Sequence, residues 1–284
     1  MRALVTGAGG QLGREVEAAL RSSRHHEVLA LSHAELDVAD RERVLQVCAE
    51  WRPEVVINAA AFTAVDRCET EPGTAYAANA LGPRNLAEAA RLTGAHLLHV
   101  STDYVFDGTS PDPYREWDEP RPLSVYGRSK LAGEREVLLG LPGAAVVRTS
   151  WVCSRHGSNM VKTVLRLAAS AGPLRFVDDQ RGCPTFADDL AGMLVRLAIS
   201  RTPGVFHVTN QGDTTWYGFA REVLAAAGED PGRVEPIKTA ELHPPRPAAR
   251  PANSVLDNAA LRLLGIPLLP LYHEPLQRTV KALL

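Results

Sequence analysis

The sequence is poor in lysine, cysteine and net charge, and each shortage excludes something. A formal charge of -2 over 284 residues gives no footing for nucleic acid or an anionic membrane, both of which select strongly basic surfaces. A membrane-spanning helix needs about 18 consecutive apolar residues, and no such run occurs. The amino terminus leads directly into an apolar strand and a glycine loop without a signal-peptide pattern, so a cytoplasmic location is expected. Cys48, Cys68, Cys153 and Cys183 are too scattered for a metal site or a redox pair, which leaves reduced thiols in ordinary packing. The nine His are scattered as well, and no metal-ligand spacing is legible.

What is present begins at residue 3. Ala3-Leu4-Val5 is a short apolar run, and Leu12 to Leu20 carries apolar residues at helical spacing. Between them lies Gly7-Ala-Gly-Gly10-Gln-Leu-Gly13, a glycine loop at a strand-to-helix turn that suits a dinucleotide pyrophosphate. Gly7 permits the tight turn, Gly10 lets backbone amides approach the phosphates, and Gly13 lets the helix pack closely on the strand. The helix N-terminus adds aligned dipoles for the anion. The second strand ends near Leu31-Ser32-His33 without an acid at its tip, and the first carboxylates after it are Glu35 and Asp37. A missing acid removes repulsion against a 2′-phosphate, so NADPH is permitted beside NADH.

Tyr126 and Lys130 are four residues apart and therefore share one face of a helix. A free phenol titrates near pH 10, and a nearby ammonium or oxidised nicotinamide favours the phenolate. Only four of the 31 basic residues are lysine, so a compact, tunable ammonium at this point is a specific choice over a planar guanidinium. A surface helix pair is the alternative. His96 to Ser101 reads as a buried strand, with Thr102-Asp103-Tyr104 at its carboxyl end, where open parallel sheets place ligands. Thr102 is placed either to hold a carbonyl oxygen or to cap its own loop.

Strands are expected near 2–6, 27–31, 54–58, 95–101, 144–149, 174–177 and 204–209, with helices between most of them, which predicts a doubly wound α/β fold of Rossmann type. Residues 1–150 form the expected dinucleotide-binding domain, and 151–284 mainly a smaller substrate-binding region with segments returning to the sheet. His243 to Pro251 is rich in proline and too stiff for helix or central strand. It is either an outer loop or a substrate loop carrying Arg246 and Arg250.

These pieces carry a resemblance. Thr6-Gly7-x-x-Gly10-x-x-Gly13, Asn58-Ala-Ala-Ala61, Ser101 to Phe106 and Tyr126-x-x-x-Lys130 resemble the extended short-chain dehydrogenase/reductases. Gly10-Gln-Leu-Gly13, Asn58 to Asp66, Arg148 to Val152, Pro184-Thr185 and Arg250 to Ser254 are similar to the dTDP-4-dehydrorhamnose reductase family. The resemblance implies a catalytic triad of Thr102, Tyr126 and Lys130: the phenol protonates a C4 oxygen as hydride arrives, Lys130 lowers the phenol pKa and holds the nicotinamide ribose, and Thr102 orients the ketone. It implies that Gly7, Gly10, Gln11, Leu12 and Gly13 surround the pyrophosphate, that Asp37 and Val38 meet the adenosine end, and that Ala59, Ala60 and Ala61 flank the cofactor. Thr63, Val65, Asp103, Tyr104 and Trp151 match positions around the sugar, with Arg250 placed for the diphosphate. Trp151 has an alternative as a core aromatic, and Asp103 as a cap of its own loop.

Sugar-nucleotide dehydratases of the same superfamily carry Thr-Asp-Glu after this strand, whereas the third residue here is Tyr104. That difference favours ketone reduction of a dTDP-sugar over dehydration. The resemblance also allows a homodimer linked by Mg2+, for which no ligands are identified in the sequence. A 4-ketoreductase of a related pathway such as dihydrostreptose synthesis would share every one of these motifs; a second rival, a non-catalytic dinucleotide-binding subunit like that of methionine adenosyltransferase, keeps the fold, and the retained Thr102, Tyr126 and Lys130 argue against it.

Overall fold

The computed structural model describes residues 1–170 and 172–284. β1 (Arg2–Thr6), β2 (Glu27–Leu31), β3 (Val55–Asn58), β4 (His96–Thr102), β5 (Ala145–Thr149) and a sixth strand, Gly204–His207, form one parallel sheet. Its order is the sixth strand, then β5, β4, β3, β1 and β2. The chain winds from β1 to β2 on one side, then crosses to β3 on the other, so the switch point lies between β1 and β3. Such points open a crevice at the carboxyl ends of the strands. Here Thr6 and Asn58 are register partners, and the Thr6 hydroxyl donates to Asn58 Oδ1 at 2.7 Å.

Strand side chains alternate between faces, and both faces are apolar. Ala3, Val5, Val55, Ile57 and Val147 pack against α1 (Gln11–Arg21) and the helix Ala187–Ser200. Leu4, Val56, Leu97 and Val146 pack against α2 (Arg41–Trp51) and the helices Gly82–Thr93 and Val125–Gly140. Burial on both sides is why these strands read as continuous hydrophobic runs.

A separate core of Val161, Val164, Phe176, Phe219, Val223, Val234 and Leu276 lies in the later half of the chain. One expected strand falls here instead of in the main sheet: Leu174–Val177 pairs in parallel with Val234–Ile237. Its length and apolar pattern fit either sheet, and only the distant partner decides. Among the described residues no helix is long and apolar enough to cross a membrane. All four cysteines are free and buried.

Candidate active site

The glycine loop follows β1 and ends on an uncapped helix. Gly7 sits at φ +72, and a Cβ there would meet Ala60 N at 2.5 Å. A Cβ on Gly13 would strike the Gly7 carbonyl oxygen. Gly10 is the residue before α1, no side chain caps that helix, and the first intrahelical bond runs from Arg14 N to Gly10 O. The amides of residues 11–13 therefore present donors with no helical acceptor, the arrangement that binds phosphate.

From this turn a cavity of about 390 Å³ runs across the sheet edge. Of the expected residues it is lined by Gly10, Gln11, Leu12, Gly13, Ala59, Ala61, Thr63, Val65, Thr102, Asp103, Tyr104, Tyr126, Lys130 and Trp151. Gln11 also straps the loop to a distant segment, donating to Ser158 O at 3.1 Å and accepting from Asn159 Nδ2 at 2.8 Å.

Five expected residues lie outside the lining. Gly7 shapes the turn from behind. Ala60 is held by its amide donating to Asn58 Oδ1 at 3.0 Å. Val38 is buried against Gly82, and its carbonyl accepts from Asn85 Nδ2 at 3.0 Å. Asp37 is half exposed and accepts from Ala39 N at 2.9 Å. Arg250 is spent on Asp66 through two bonds of 3.0 and 2.8 Å. That pair, with Ala248 N on the same carboxylate, anchors the proline-rich segment beside Tyr104.

Tyr126 stands in the first turn of the helix Val125–Gly140, whose N-cap, Ser124, accepts from Gly127 N. Its ring meets that of Tyr104 edge-on at 5.7 Å. Burial raises the phenol pKa above its ordinary value; the Thr102 hydroxyl lowers it, and the Asp103 charge raises it. With burial the largest cause, Tyr126 stays protonated across neutral pH. Lys130 is 2% exposed and donates to Val100 O at 2.7 Å. Burial brings its ammonium down to about 8, against the opposing charge of Glu134. Glu134 itself is fixed by Arg148 at 2.8 Å and by Ser101 at 2.5 Å.

Thr102 caps its own loop, its oxygen accepting from Tyr104 N at 3.2 Å, and its side chain lines the cavity. Its hydroxyl donates to Asp103 Oδ1 at 2.9 Å. Two buried oxygens of the lining, Asp103 Oδ2 and Thr149 Oγ1, have no hydrogen-bond partner. A buried polar atom without a partner is costly, and both of these atoms belong to residues that line the cavity. Trp151 adopts a left-handed backbone at φ +46, lies flat on Gly182, and stacks on Trp216 with ring centroids 3.4 Å apart.

A family model described as the RmlD substrate binding domain matches residues 1–284. A Streptomyces griseus dTDP-4-dehydrorhamnose reductase is 46% identical, covering 96% of this chain and 90% of its own. The chain belongs to the dTDP-4-dehydrorhamnose reductase family. A probable dTDP-4,6-dihydroxy-2-methyloxan-3-one 4-ketoreductase of Streptomyces antibioticus is 45% identical over 94% of the chain and 90% of its own. Among solved structures, a dTDP-4-dehydrorhamnose reductase of Bacillus anthracis in complex with NADP superposes with a TM-score of 0.95, at 38% identity and 99% coverage of both chains.

Within the family frame, sequence reasoning missed Trp216, Thr149, Ser150 and Asn79. Thr149 and Ser150 end β5 at the same sheet edge as Thr102, so the rule that selected Thr102 also reaches them. Asn79 lies in a π-helical turn, Ala77–Leu81, accepts from Phe62 N at 2.8 Å and donates to Ser129 at 3.0 Å. It thereby ties the wall after β3 to the Tyr126 helix. Among the described residues no group of three or more His, Cys, Asp or Glu side chains is gathered for a metal ion, and Mg2+ is not assigned.

Proposed function

We propose that the protein uses NAD(P)H to reduce the C4 ketone of dTDP-4-dehydrorhamnose, giving dTDP-L-rhamnose. The observation that carries this is one continuous cavity joining a phosphate-binding helix start to a buried phenol, hydroxyl and ammonium. The glycine cradle and free amides of α1 fit a dinucleotide pyrophosphate. When bound, the reduced nicotinamide supplies the hydride. Tyr126 donates its proton to the ketone oxygen, which burial allows because the phenol remains protonated at neutral pH. Thr102 orients that oxygen by a hydrogen bond. Lys130, held on Val100 O, is placed for the ribose hydroxyls, and its charge stabilises the phenolate left after proton transfer. Trp151 and Trp216 offer an aromatic wall to the sugar nucleotide.

A second reading stays within the same chemistry. The 45% identity to a differently named dTDP-sugar 4-ketoreductase supports a related 4-keto sugar as substrate. The deciding experiment follows loss of NADPH absorbance with dTDP-4-dehydrorhamnose and with a panel of other dTDP-4-keto sugars. Preferred turnover of another sugar replaces the first reading with the second. No ketone-dependent oxidation with any of them refutes both and leaves a binding subunit.

A further inference from the structure

The one hydroxyl hydrogen of Thr102 is committed before any substrate arrives. Its oxygen accepts from Tyr104 N and faces the Tyr126 phenol, and its one hydrogen goes to Asp103 Oδ1. Orienting a ketone requires that same hydrogen. If Asp103 is a carboxylate, withdrawing it strips a bond from an anion that is 2% exposed. Leaving a buried charge short of donors is expensive. A neutral Asp103 reverses the cost, because its own O–H donates into Thr102 and frees the hydroxyl hydrogen.

Resting on the reductase activity proposed above, we infer that Asp103 is a positioning residue that sets the direction in which Thr102 donates. As a carboxylate it takes the hydroxyl hydrogen; as a neutral acid it turns that hydrogen toward the substrate oxygen. Burial supports this by pushing the Asp103 carboxyl up to about 6, against the hydroxyls of Ser254 and Thr102. The groups around it are Thr102 on β4, Tyr104 on its own turn, Tyr126 on the packed helix, and Ser254 and Cys183 from the later half of the chain. The charges of Asp66, Arg246 and Arg250 act on the neighbouring Tyr104 phenol. The proton that neutralises Asp103 comes from solvent and returns to it, so the proton delivered to the product still comes from Tyr126.

The test is the pH profile of kcat/KM for NADPH-dependent ketone reduction in wild type, Asp103→Asn and Asp103→Leu. Wild type is expected to gain about tenfold on acidification through the Asp103 ionisation. Asp103→Asn, whose amide donates at every pH, loses that limb and exceeds wild type at neutral pH. Asp103→Leu, which can neither take the hydroxyl hydrogen nor donate into Thr102, also loses the limb. An acid limb that persists in Asp103→Asn overturns the inference while leaving the reductase reading standing; no reduction by wild type at any pH removes the reading itself. Infrared difference spectra of wild type guard against a variant that fails to fold. A protonated-carboxyl band appearing through about pH 6 supports the inference, and its absence overturns it.

Discussion

The two ends of the cavity are made by opposite means. At the dinucleotide end the working surface is backbone, exposed because side chains are missing: Gly7 and Gly13 stand where a Cβ would collide with the main chain. At the chemical end the working surface is a set of buried side chains whose protonation is set by exclusion of water. Phenol, ammonium and carboxyl are all shifted there, with burial the largest cause for each. One end is intolerant of added atoms and the other of a moved proton.

The sharpest way to break this contrast is at Tyr126. Tyr126→Phe removes one oxygen and no packing, so kcat should fall by about 10²–10⁴-fold, while NADPH affinity measured by fluorescence stays near wild type. Gly7→Ala should do the reverse. A side chain at φ +72 against Ala60 destabilises by about 1–3 kcal/mol in denaturant titration, and dinucleotide binding is lost. Equal loss of dinucleotide binding in both variants would show that the two ends are not separable.

Trp216→Ala removes the partner on which Trp151 stacks. Aromatic pairs contribute about 0.5–1.5 kcal/mol beyond area burial, so KM for the sugar nucleotide should rise up to about tenfold with kcat little changed. The smallest effect is on the alkaline side. Lys130 is disfavoured as an ammonium by burial, so its folded pKa lies below the ordinary lysine value and its charge is lost as pH rises through about 8. Initial rates should show kcat/KM halved near that pH, and a flat profile would separate Lys130 from the chemistry.

Much of both ends was legible in the sequence, for local reasons. A glycine loop between an apolar strand and a helix, a tyrosine one helical turn from a lysine, and a threonine at a strand's carboxyl end are patterns within a few residues. The strand at 174–177 was legible as a strand but not in its sheet, because its partner lies some sixty residues on, at Val234. Arg250 was legible as a cation near the site. Its commitment to Asp66, 184 positions away, was not.

By itself the sequence determined the doubly wound alternation, the position of the glycine loop, and the placing of Tyr126 and Lys130 on one helix face, because periodicity and spacing are properties of adjacent residues. Only the tertiary structure decided that burial raises the Tyr126 phenol, that Asp103 is buried, and that Trp151 meets Trp216. Desolvation and contact depend on which distant segments close over a group, and no local pattern contains that information.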